Sequence, residues 1–429
     1  GYDNGAVTLS NSGTTVSTIA AESSQASGWK SFTGTFPMTF NEFTVNRSSG
    51  GTGSGAAAIE IDGVILVDGA GRYGKNGFHL NFSDSSTNEA LGFDSAPTTP
   101  DPDPKKGMDV ITYTGNGGTQ NIGGLNFEPG LIWLKSRSET GRSHSLYDNV
   151  RGASKVLKSD NTDAEVTMTG VTSFNPDGFT LGSHVNSNNN NVTYVAWNWR
   201  AGGPAVTNTD GTIDSQVSAN TDYGFSIVSW EGNGSSSATV GHGLSSTPKW
   251  VIVKGRETTD SWSVHHTSLT SGHVLLLNNS GTSFAASTAG GGGVGAPTSS
   301  TLTFVNGTSS VNNVNQNTKD FIAYCWSEVS GYSKFSSYTG TGANGNKQTV
   351  GFKPRWVLIK GTDTTYEWQI FDSERNPSNP RNLKLEPNTS DAEASTGNNV
   401  NFYDDGFDFN TNSDKLNGSS KNYIYAAFA

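Results

Sequence analysis

An all-β protein, with an N-terminal β-sandwich followed by three related β-sandwich modules in an elongated array, is what this sequence predicts. Three observations lead there. A block of about a hundred residues occurs three times, and internal repetition at a fixed period is the signature of a modular architecture. Charged residues make up only 15% of the 429, while 53 glycines and long Ser/Thr/Asn tracts separate short apolar runs. No run keeps a helical period, so helices are expected to be few and short.

Taken in order, residues 1–95 carry strand-like runs at Phe40 to Val45 and Ile59 to Val67, with a further run at Phe78 to Phe82. They are read as the N-terminal β-sandwich. Residues 96–108 follow as a linker, because proline at alternate positions in Ala96 to Lys106 forbids a central strand and favours a stiff extended chain. The first repeat spans 109–203, a linker plus the second repeat 204–332, and the third repeat 333–429.

Each repeat opens on an aromatic residue followed by a Gly-x-Gly turn: Tyr113 to Gly117, Trp230 to Gly234 and Tyr338 to Gly342. Glycine supplies the positive φ of a sharp strand end. A phosphate loop would need a helix N-terminus next, and a Ser/Thr-rich loop or another strand follows instead. A proline and an apolar strand ending in lysine come next, at Pro129 to Lys135, Pro248 to Lys254 and Pro354 to Lys360. Trp250 and Ile252 alternate with Val251 and Val253, so this strand is apolar on both faces and needs cover on both. Trp133, Ile252 and Leu358 are its expected core positions. A third strand, Ser143 to Asp148, Ser261 to His266 and Glu367 to Asp372, precedes a closing aromatic strand: Tyr194 to Trp199, Phe321 to Trp326 and Tyr423 to Phe428.

The formal net charge of −11 argues against nucleic acid and anionic membrane as partners, since both call for clustered Lys/Arg. No stretch has the length of a membrane-spanning helix, so no membrane insertion is expected. No signal peptide is recognised, and a chain that starts at Gly1 reads as processed or as a segment of a longer protein. One cysteine, Cys325, rules out an intrachain disulfide framework, which leaves sandwich cores and association between chains to supply stability. Cys325 falls where the other repeats have Asn198 and Ala427, a small strand residue rather than a nucleophile.

Candidate chemistry is sparse. His265 and His266 are adjacent on a strand, face opposite ways, and align with Tyr147/Phe371 and Asp148/Asp372, so a structural role is expected and no metal site or cofactor. Asp148 and Arg151 recur as Asp372 and Arg375. They read either as a clamp for a ligand hydroxyl or carboxylate, or as the ion pair that fixes the following turn, and recurrence favours the second. Asn208 to Asp214 lacks the ligand spacing of a calcium loop. Acidic residues such as Glu60, Asp62 and Asp68 could supply a hydrolytic carboxylate pair only through a spatial arrangement that sequence does not define. The loops Ser136 to Arg142, Gly255 to Asp260 and Gly361 to Tyr366 vary while their flanking strands do not. Their Arg137, Arg142, Arg256 and Tyr366 are the candidate ligand-binding residues, being types that stack on and hydrogen-bond sugars or partner proteins.

The stretch Gly224 to Leu269, with Tyr147 to Gly152 and Phe174 to Leu181 of the first repeat, resembles a module of marine bacteriophage (cyanophage-like) tail-fibre and virion structural proteins. Ala58 to Val64 and Gly77 to Phe82 resemble segments flanking lectin-like domains in such proteins, although here the Pro-rich linker follows almost at once. The resemblance implies a virion surface protein in an extracellular appendage, a homotrimer in contact with other virion proteins, attaching to a host-surface glycan or protein; catalysis is not expected, because no His or carboxylate constellation stands out from what the repeats explain. A glycan depolymerase and a purely structural decoration or filament protein are the alternatives.

Overall fold

The computed structural model describes residues 103–429, apart from Ala289 and 309–311, and five earlier strands. The chain divides into two compact units, Gly1–Pro100 and Asp101–Ala429. In the first, Val7–Asn11 lies between Thr14–Ile19 and Glu42–Val45 in an antiparallel sheet, and Ile59–Ile61 pairs with Val64–Leu66. The expected 1–95 sandwich as a whole, the run at Phe78 to Phe82 and linker residues 96–102 lie outside the described residues. The end of the expected linker is not extended: Pro104–Lys106 forms a 3₁₀ turn capped by the Asp103 carboxylate.

The second unit is all-β, and its three repeats share one antiparallel ladder. In the first module the strands are β1 (Met108–Thr114), β2 (Leu131–Ser136), β3 (Ser145–Asp148) and β4 (Thr193–Trp199). In the second they are β5 (Phe225–Glu231), β6 (Trp250–Gly255), β7 (Ser263–His266) and β8 (Asp320–Trp326). In the third they are β9 (Ser333–Thr339), β10 (Trp356–Gly361), β11 (Gln369–Asp372) and β12 (Asn422–Phe428). The closing strand always runs between the first and second, giving the orders β1-β4-β2-β3, β5-β8-β6-β7 and β9-β12-β10-β11. Register is kept as well: Trp199 pairs with Leu131, Trp326 with Trp250 and Phe428 with Trp356.

A second sheet covers one face of each ladder, closing a sandwich. Val251, Val253, Val228 and Phe321 pack into such a local core under Leu302 and Phe304; Val357, Ile359 and Phe371 do so under Val400 and Phe409. The opposite face of all three ladders turns inward to one shared core holding Trp133, Trp197, Trp199, Trp250, Ile252, Trp326, Trp356, Leu358 and Phe428. Trp199 touches Trp326, Trp356 and Phe428 edge-on at 5.6 to 5.8 Å between ring centres. Such pairs add about 0.5–1.5 kcal/mol each beyond the area they bury. The strand that is apolar on both faces is thus covered by its own second sheet and by the neighbouring modules.

This arrangement corrects the elongated array. Each module touches both others, and the same backbone hydrogen bond recurs at every junction: Glu165 N–H to Arg256 C=O (2.7 Å), Glu393 N–H to Arg137 C=O (2.8 Å) and Ser283 N–H to Thr362 C=O (2.8 Å). The modules close head to tail in a ring with approximate three-fold symmetry. The physical reason is the inward tryptophan face, which stacking in a line would leave partly in water.

Candidate functional site

The three variable loops occupy equivalent places on this ring, each leaving the second ladder strand. They start on a lysine that is fully buried: Lys135, Lys254 and Lys360. Their ammonium groups donate to backbone carbonyls, Lys254 to Gly255 and Thr258 at 2.8 Å each, Lys360 to Gly361, Thr364 and, across the junction, Ser280. Burial pulls all three pKa values down to about 8.

The arginines expected to meet a ligand are engaged elsewhere. Arg256 forks onto Glu165 of the first module through Nε (3.0 Å) and Nη2 (3.1 Å). Arg137 forks in the same way onto Glu393 of the third, at 3.1 and 2.9 Å. Two-point arginine–carboxylate pairing is strong and directional, so these side chains are inter-module clasps, which corrects their reading as ligand contacts. Arg142 is partly exposed and pairs with Glu139 at 2.7 Å, which in turn accepts from the Asn189 amide. Tyr366 is 39% exposed, with the Lys415 ammonium 5.9 Å from its ring centre. The ladder register makes Arg142, Asp260 and Tyr366 equivalent, each four residues before Leu146, Val264 and Ile370.

The recurring Asp–Arg pair is structural and reaches between modules. Arg151 and Asp148 are buried together; Tyr324 of the second module donates its hydroxyl to Asp148 at 2.7 Å, and Arg151 also meets Glu165 at 3.2 Å. Burial alone would lower the Arg151 pKa, but Asp148, Tyr324 and Glu165 outweigh it and raise it. Asp372 and Arg375 repeat the set at the next junction, where the Trp197 indole N–H donates to Asp372 at 2.9 Å and Arg375 meets Glu393 at 2.8 Å. At the remaining junction His266 and Leu269 stand in these places. Ser268 N–H donates to His266 Nδ1, so Nε2 carries the proton given to the Tyr425 carbonyl at 3.0 Å. Burial holds His266 down to about 3 and His265 to about 4. One junction is therefore uncharged where the other two hold buried ions.

Among the described residues no group of three or more His, Cys, Asp or Glu side chains is placed to hold a metal ion. Cys325 is fully buried and its thiol pKa is pushed up by desolvation.

Sequence reading missed three buried asparagines. Asn188 donates to Asn116, Gly118 and Gly182; Asn315 to Asn233 and Ser235; Asn417 to Thr341, Ala343 and Thr411. Each pins a Gly-x-Gly turn, whose second glycine has φ between 68° and 75°. A Cβ on the first glycine would lie within 2.3 Å of a backbone carbonyl in every module. The signal was available: each asparagine stands five residues before its closing strand.

A protein-family model described as a domain of unknown function (DUF7483) matches residues 103–429, the extent of the ring. No curated protein and no solved structure matches the chain.

Proposed function

From the premise that the chain belongs to the DUF7483 family, we propose that it is a virion surface protein of a tail-fibre kind, binding a host-surface glycan or protein through the loops on the ring. One observation carries the binding reading: a single backbone position, held in the same place by the same ladder, bears arginine (Arg142), aspartate (Asp260) and tyrosine (Tyr366) in turn. Rigid frames with divergent loop tips are how sandwich proteins acquire recognition. Tyr366 offers an aromatic face and Lys415 a cation beside it, a pairing suited to a sugar ring bearing an acidic group. The phage assignment rests on sequence resemblance alone.

The test is attachment. Arg142→Ala with Tyr366→Ala is expected to weaken binding to host cells with the thermal transition unchanged, and unchanged attachment overturns the choice of loops. Release of reducing ends from host polysaccharide would replace this reading with the depolymerase. The decoration reading is favoured by the use of Arg137 and Arg256 as clasps, and attachment insensitive to every loop would support it.

A further inference from the structure

The joint between the third and first modules differs from the other two in having no chain connection across it. It also carries the heaviest set of polar contacts. Arg137 forks onto Glu393, Trp197 reaches Asp372, Ser159 Oγ donates to the Pro387 carbonyl at 2.6 Å, and Arg355 meets Asp109 at 2.7 Å. The joint between the second and third modules is the reverse: uncharged at the equivalent positions, and bridged by the few residues from Ser327 to Tyr332 with a turn at Gly331 (φ 73°). The third module therefore sits between a short covalent strap and an ionic lock. Its inward face of Trp356, Leu358 and Phe428 packs against the other two modules, with Trp199 of the first and Trp250 of the second on Trp356.

Nothing in those contacts requires that the neighbours belong to the same chain. The geometry points to exchange of the third module between two copies of this chain: modules one and two of each copy receive module three of the other, and two complete rings result. All joints are retained in the exchanged dimer, so its cost is the lost proximity of the strap, which corresponds to an effective concentration of about millimolar. Short connections invite such exchange, because straightening them separates what they joined. The partner is a second copy, recognised by the same Asp109, Trp197 and Arg137 that close the ring, and the inference stands apart from any ligand on the loops.

Two charge-reversed chains test it. In D109R two arginines meet at this joint, and in R355D two aspartates do. When the two variants are unfolded together and refolded as a mixture, exchange yields one ring with the reversed pair and one with the native pair. The mixture is expected to give a dimer of twice the 45.2 kDa chain mass by native mass measurement, with far less dimer from either variant alone. A mixture that stays monomeric overturns the proposal. Should the single variants fail to fold, the wild-type chain refolded at rising concentration provides the second measurement: a dimer fraction that grows with concentration is expected, and monomer at every concentration overturns it equally.

Discussion

Buried polar residues that bridge modules do the most specific structural work here: Asp148 meets Tyr324, 176 residues away, and Asp372 meets Trp197, 175 residues away. Removing one side of a buried ion pair strands the other charge, at a cost of about 3–5 kcal/mol. Arg375→Leu should therefore lower the urea midpoint strongly, through the stranded Asp372 and Glu393. Leu269→Ala, at the same position in the uncharged junction, should cost less because it leaves no charge unpaired. Asn417→Ala removes the amide that holds the carbonyls of Ala343 and Thr411, and a loss of about 1–3 kcal/mol is expected in denaturant unfolding. Core residues were legible in the sequence because Trp250, Ile252 and their equivalents repeat with a period of two. The fates of Arg137 and Arg256 were not, since their carboxylate partners lie 256 and 91 residues away. Arginine in a variable loop reads alike whether it meets a ligand or a neighbouring module.

At the scale of the strand, the lysine that ends β2 and its counterparts makes stability depend on pH. Each has a folded pKa of about 8, below the value of about 10.4 of an unfolded chain. The unfolded state thus binds more protons between those values, and stability should rise with pH across that window. Above it the buried tyrosines act oppositely: burial raises the pKa of Tyr113, Tyr324 and Tyr338, so the folded state resists their ionisation and stability falls. Urea midpoints measured from pH 7 to 11 should pass through a maximum, and replacing all three lysines by methionine should flatten the rising limb. The order of strands along the chain was readable from the landmarks. Their order in the sheet was not, because the closing strand inserts between two strands that precede it by dozens of residues.

For the second unit as a whole, one shared core replaces the nearest-neighbour contacts of a linear repeat protein. The modules should therefore unfold together. Of the ten tryptophans, nine fall within residues 103–429, and their emission should shift in a single transition that coincides with loss of near-ultraviolet dichroism; separate steps would mean that the modules are independently stable. The homotrimer was expected from the resemblance to fibre proteins, and because a chain with one cysteine and only 15% charged residues leaves stability to association. Three-fold association is present inside one chain instead, so native mass measurement of the full chain at micromolar concentration is expected to give 45.2 kDa, and a stable threefold mass would restore association between chains. Repetition announced three modules, but whether they stack or close depends on where their inward faces meet, which no local pattern encodes.

The central place of β12 in its sheet has a consequence for how the protein is made. During synthesis the first two modules leave the ribosome with their tryptophan faces ready and nothing to set against them. The third supplies cover only when residues 422–428, the last of its ladder strands, have emerged to lie between β9 and β10. Until then several hundred residues wait with an aromatic surface exposed, which is the state in which nascent chains aggregate. A stalled or prematurely terminated chain lacking this one strand loses more than its two ladder pairings, with β9 and β10: it leaves all three modules unfinished. Production of the protein should accordingly be sensitive to slow translation of residues 422–428 and to chaperone supply, far more than the modest length of each module would suggest.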